Sequence, residues 1–162
     1  MIKKLSTAHS FLNIIPISAI CGDNMEVLKH KILEFLPIGD KYYPDDRITD
    51  KDINFRVSEI IREKVLGLTR QEVPHSIAVF IEDLQPRPDS DITDIKAIVY
   101  VERPSQKSIV IGRNGSVMKE VGSLARVEIE KLLNRKVFLS LWVKVLKNWR
   151  NDSRAIKKLG LY

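Results

Sequence analysis

The amino-acid sequence predicts an α+β domain, a three-stranded sheet with helices on one face, preceded by a shorter strand-and-helix piece. Three observations carry this reading. Three segments alternate apolar and polar residues with a period of two; two long segments repeat apolar residues at helical spacing; and a Gly112-Arg113-Asn114-Gly115 break separates a short apolar stretch from the second of those helices.

In chain order, Phe11-Leu-Asn-Ile-Ile-Pro-Ile is a short apolar run that reads as a buried strand. A loop over Ser18 to Asn24 and an amphipathic helix through Leu36 follow. One strand and one helix cannot cover each other's apolar surface, so this opening piece is expected to need neighbours. Between Pro37 and Lys51 the sequence turns to Pro, Gly, Asp and Tyr and loses periodicity, as a linker does. The division expected is therefore residues 1–40, a linker over 41–51, and a second domain over 52–162. Asp52 is placed as an N-cap, with Val57, Ile60, Ile61, Val65 and Leu68 at helical spacing behind it and Gly67 as the stop. Ser76 to Leu84 puts Ile77, Val79 and Ile81 on one face of a strand, and Ile92 to Glu102 does the same with Ile95, Ala97, Val99 and Val101; the two are expected to pair antiparallel. Gln106 to Ile111 reads as a brief helix, and Ser116 to Leu133 as a long one with Met118, Val121, Ala125, Ile129 and Leu132 inward. The last strand is the clearest, Val137, Leu139, Leu141, Val143 and Val145 alternating with Phe138, Ser140, Trp142 and Lys144. A short polar helix from Asp152 to Leu159 closes the chain.

Composition bounds the function. The chain has 162 residues, 44% of them hydrophobic, and a formal charge of +6, which suits an ordinary globular fold with a polyanionic partner. Basic residues that neutralise phosphates release counterions, although an anionic membrane surface or simple solubility would use the same charge. The single Cys21 allows no internal disulfide, so a reducing, cytoplasmic setting is expected. His9, His30 and His75 have no metal-ligand spacing, and no apolar run approaches the roughly 20 residues of a membrane span. No metal is expected.

The chemistry concentrates at Gly112-Arg113-Asn114-Gly115. Two glycines between helices let a ligand backbone approach, the free N–H groups of the next helix point at it, and Arg113 adds a cation. A bare GxxG is equally a tight turn; its setting after two strands and between apolar helices is that of the KH module, whose GxxG loop clamps single-stranded RNA. Gly112, Arg113, Asn114, Gly115 and Ser116 are the candidate clamp, and Lys107 and Lys119 flank it. Ile109, Val110 and Ile111 read either as an apolar floor for bases or as core, at least one of them core. Trp149 beside Lys147 and Arg150 either stacks a base or anchors the terminal helix. Trp142, with Phe80 and Tyr100 on matching strand faces, is expected to pack under the linker or terminal helix. Asp45-Asp46 and Asp89-Ser90-Asp91 read as turn formers, without partners for acid/base work. No catalytic residue is assigned.

Tyr100-Val101-Glu102-Arg103 and Ser105-Gln106-Lys107-Ser108-Ile109-Val110-Ile111-Gly112-Arg113-Asn114-Gly115 resemble the central segment of the KH domain of the Era family of bacterial GTPases. So do Leu68 to Ser76, Lys136-Val137-Phe138-Leu139, and Val143 through Asp152, with Tyr43-Pro44 and Ile48-Thr49-Asp50 before them. The resemblance implies a prokaryotic-type (type II) KH fold that recognises the single-stranded 3′ end of small-subunit ribosomal RNA and assists maturation of the 30S subunit. It also implies an upstream P-loop GTPase domain that uses GTP and magnesium, of which residues 1–40 would be the C-terminal remnant, and allows peripheral association with the inner membrane. Ile17-Ser18-Ala19 and Gly22-Asp23-Asn24 resemble that domain's last guanine-side loop, so Ser18, Ala19 and Ile20 are the nucleotide-binding remnant; Ile20 and Cys21 depart from the family there. Asn114 departs as well, standing where the family carries glycine, but asparagine tolerates left-handed backbone. The 162 residues contain neither G-x-x-x-x-G-K-[ST] nor Asn-Lys-x-Asp, so this chain is expected to need no cofactor and to have no GTPase activity, unless supplied by upstream residues.

Overall fold

The computed structural model describes residues 7–40, 49, 51–69 and 77–160, in two compact units, Met1–Ile48 and Thr49–Tyr162. Of the linker expected over 41–51, only Thr49 and Lys51 are described; Tyr43-Pro44, Asp45-Asp46 and the segment 70–76 lie outside the described residues.

In the first unit the strand expected over Phe11 to Ile17 does not form. Its place is taken by irregular chain ending in one antiparallel bridge, Ser18 to Asp23. A strand needs a partner for its backbone groups and a surface for its apolar face; here Leu12 and Ile20 stand 84% and 99% exposed. The turn is held locally, the Gly22 N–H donating to Ser18 O at 2.8 Å, the Cys21 N–H to Ser18 Oγ at 3.2 Å, and Asn24 Nδ2 to Pro16 O at 2.8 Å. Helix α1, Met25–Phe35, follows and buries none of its residues.

The second unit has a continuous core. Helix α2, Ile53–Leu68, begins as expected at Asp52, whose carboxylate accepts from the Phe55 N–H at 2.7 Å, and it buries Val57, Ile61 and Val65. Gly67 is inside the helix rather than its stop. Termination falls to Thr69, which leaves helical geometry while its N–H and Oγ1 both donate to Val65 O, at 3.0 and 2.7 Å. Strands β1, Ala78–Pro86, and β2, Ile92–Val101, pair antiparallel. The simple alternation of β1 breaks between Ile81 and Asp83, where a bulge puts Ile81 opposite Ala97 and Leu84 opposite Ile95. The extra residue keeps Ile81 and Leu84, three apart, on the same core-facing side.

Strand β3, Lys136–Val145, pairs in parallel with β2, giving the order β1-β2-β3. A parallel pair requires a crossover. That crossover is helix α3, Pro104–Ile111, a single 3-10 turn at Arg113–Gly115, and helix α4, Ser116–Leu133. Val121, Ala125 and Ile129 of α4 are fully buried against Ile95, Ala97, Val99 and Val101 of β2 and the buried stripe of α2. Among the described residues the opposite face of the sheet is covered at one end: a 3-10 turn at Trp149–Asn151 and helix α5, Ser153–Lys158, pack Trp149 and Leu159 against Ala78, Phe80 and Tyr100.

Candidate nucleic-acid interface

The site is built on the crossover. Pro104 opens α3, where its missing N–H costs nothing. The N-cap, Arg103, has no side-chain acceptor, so buried Gln106 does the capping: its Oε1 accepts from the Glu102 N–H at 3.0 Å and the Arg103 N–H at 2.9 Å. Val110 is fully buried, which fixes the rotation of the helix, while Ile109 beside it is 39% exposed and Ile111 half-buried. Val110 is thus the core member of the trio, and Ile109 is presented to solvent.

At the end of α3 the chain enters left-handed space. Gly112 has φ 73°, Asn114 φ 52° and Gly115 φ 77°. The two glycines differ in their surroundings. A Cβ on Gly112 would lie 2.5 Å from Val117 Cγ2 and 2.8 Å from the Val117 backbone nitrogen, whereas one on Gly115 would meet nothing within 4 Å. Gly112 is therefore required by the protein's own packing, and Gly115 keeps an open approach to the loop. Asn114 adopts the left-handed geometry that its side chain tolerates best among non-glycine residues. Helix α4 then starts with no acidic residue in its first turn and no side-chain cap, so its positive end faces the loop uncompensated.

Arg113 and Lys119 are exposed and Lys107 is half-buried, and none of the three makes an ion pair among the described residues. Beyond the loop, a groove of about 350 Å³ runs between α4 and β3, lined by Lys119, Gly122, Ser123 and Arg126 on the helix side and Phe138 and Leu139 on the strand side. Ser123, Arg126 and Phe138 were not legible as site residues. The spacing of Lys119, Gly122, Ser123 and Arg126, three or four apart, does put them on one helical face; what was missing was knowledge that an edge strand forms the facing wall.

The C-terminal candidates are placed elsewhere. Trp149 is 7% exposed within the cluster of Ala78 and Leu159, so its ring anchors the terminal helix and offers no face for stacking. Arg150 grips the Glu102 carboxylate through Nε at 3.1 Å and Nη2 at 2.6 Å, a bidentate pair that holds its proton more firmly than usual. It ties the chain end to the start of α3 instead of standing ready for a phosphate. Lys147 is exposed beyond β3. Ser18, Ala19 and Ile20 belong to the bridged turn of the first unit.

Helix, two antiparallel strands, helix, GxxG, helix and a parallel third strand define the class: a KH module. Residues 72–150 match the KH domain family. More particularly, the chain is similar over nearly its whole length to proteins named GTPase Era. It is 46% identical over 159 residues to the GTPase Era of Caldanaerobacter subterraneus subsp. tengcongensis, covering 98% of this chain and 53% of the relative. With the GTPase Era of Alkaliphilus metalliredigens it shares 51% identity over 150 residues, 93% of this chain and 51% of the relative. The crystal structure of Era with MgGDPNP and nucleotides 1506–1542 of 16S ribosomal RNA superposes with a TM-score of 0.89 at 40% identity, over 98% of this chain and 53% of that one. The chain thus spans about half the length of the relatives it matches.

Proposed function

We propose that this chain binds single-stranded RNA along the groove that leads from Gly112–Gly115 between α4 and β3, and that its target is the 3′ end of small-subunit ribosomal RNA during assembly of the 30S subunit in the cytoplasm. The observation that carries the reading is the loop itself: three positive-φ residues, one open glycine, an uncompensated helix start and Arg113 without an ion pair among the described residues. Those features suit a phosphate backbone. Lys119 and Arg126 continue the cationic track along α4, and Ile109 offers an apolar surface to a base. The target is suggested by the 16S ribosomal RNA bound to the structural relative. Residues 1–40 act as the last segment of a nucleotide-binding domain, which supplies the GTP and magnesium chemistry in the whole protein; without P-loop and guanine motifs this chain does not hydrolyse GTP on its own.

The test is binding of the chain to an RNA copying that 3′ end, with a scrambled RNA and a salt series beside it. Sequence-dependent binding is expected, with affinity falling as salt rises. Arg113→Gln should make the slope of log K against log salt shallower by about 0.7, the loss of one single-strand phosphate contact. Equal affinity for both RNAs would sink the assigned target, and an unchanged slope would remove Arg113 from the clamp.

A further inference from the structure

Strand β3 carries a second pattern on its other side. Lys136, Phe138, Ser140, Trp142 and Lys144 alternate with the core-facing residues, so they share the sheet face that the described residues leave open beyond the terminal helix. Trp142 is 45% exposed and Phe138 57%, about 13 Å apart along the strand at 3.3 Å per residue. Trp142 lies opposite Ile98, whose burial on this face gives the indole a fixed apolar bed. The Arg87 guanidinium stands over Phe138, 5.3 Å from its ring centre, and donates two hydrogen bonds to Asp94 at 2.7 and 2.6 Å. Two flat stacking surfaces therefore stand on one ribbon, bracketed by lysines. Lys144 makes no ion pair among the described residues, while Lys136 stands 3.7 Å from Glu130.

Phe138 also lines both the α4–β3 groove and the hollow on the open face beside Asp94, Lys96 and Ser140. The two surfaces meet around β3, which among the described residues pairs on one side only.

We propose that the open face of β3 is a second contact surface for single-stranded RNA, entered from the groove around the free strand edge, with bases stacking on Trp142 and on the Arg87–Phe138 pair. The inference rests on the groove being an RNA site and extends it. Aromatic rings with interleaved cations hold bases by stacking and phosphates by charge, without base-specific hydrogen bonds. The surface accordingly adds affinity for longer RNA and little sequence preference.

The experiment compares an RNA of about six nucleotides, slightly more than a GxxG groove clamps, with one of about sixteen. The full chain is used, unaltered and as Trp142→Ala and Trp142→Tyr. Trp142→Ala is expected to weaken the longer RNA about tenfold and leave the shorter unchanged, with Trp142→Tyr restoring most of the loss. Because Trp149 is buried, quenching of exposed-tryptophan fluorescence by the longer RNA alone reports stacking on Trp142. Equal effects on both RNAs, or none on either, overturn the proposal. So does self-association that Trp142→Ala abolishes while RNA affinity stays constant, which would assign the face to a second copy. Failure of the unaltered chain to bind the shorter RNA removes the groove reading, and this extension with it.

Discussion

At Gly112 and Gly115 a positive φ serves two different ends. Any side chain at either position pays for a positive φ, about 1–2 kcal/mol at Gly115 in the left-handed region and of order 1–3 kcal/mol at Gly112, whose φ 73° and ψ 173° fall where essentially only glycine sits. At Gly112 the added carbon also drives into the Val117 backbone, which cannot swing aside. Gly112→Ala should therefore displace the first turn of α4 and abolish RNA binding, while Gly115→Ala should cost only the backbone strain in stability. Denaturant unfolding paired with RNA titration of the two variants checks this; equal stability losses would mean that the loop yields at Val117. The sequence made both glycines visible but not their difference, because contact with Val117 is a property of the fold. Trp149 shows the same limit. Tryptophan between lysine and arginine is compatible with stacking or with anchoring, and only the pairing of Ala78 with Tyr100 on the sheet's far face, with Leu159 beside them, decides for the anchor.

Among the elements, long periodic segments were readable because their periodicity is the imprint of one buried face. Helices α2 and α4 and strand β3 lie where their apolar stripes put them. The bulge in β1 was not readable: one extra residue leaves composition unchanged and shows only in register against β2. The strand expected at residues 11–17 failed for a complementary reason, since apolar sequence reports a wish for burial and not the presence of a partner. The hairpin of β1 and β2 carries a pH-dependent device of its own. Hydrogen bonds from Arg87, with help from its charge and that of Lys96, hold the Asp94 carboxyl below its ordinary value. A depressed carboxylate contributes stability above its unfolded pKa, near 3.9, and loses it as pH falls through the lower folded value. Asp94→Asn should therefore be less stable than the unaltered chain at neutral pH, with the gap closing below about pH 4. Thermal melts across that range test it, and a gap constant with pH would show the pair to be electrostatically idle.

On the scale of the molecule, the two units differ in what they bury. The second has buried residues on three helices and three strands, whereas α1 has none and most of the large apolar side chains of residues 11–38 stand exposed. Limited proteolysis should cut within residues 7–40 at protease levels that leave a fragment containing 77–160 intact, because local opening is cheap where few apolar contacts are lost. Equal resistance of both units would mean that α1 is covered in solution. The helical pattern after Asp52 made the buried stripe of α2 legible; the absence of a strand among the described residues of the first unit was not.

The parallel pairing of β2 with β3 has a consequence for the order of events as the protein is made. The GxxG loop lies inside the connection between those strands, and β3, near the end of the chain, is one wall of its groove. The loop is synthesised well before the groove exists, since its second wall arrives only when residues 136–145 have left the ribosome and docked across a long-range contact of the kind that closes late. A nascent or prematurely terminated chain would display the glycines and arginine without a groove to hold bases. Competence to grip RNA thereby depends on β3, and a chain stopped before residue 136 would lack the groove's second wall.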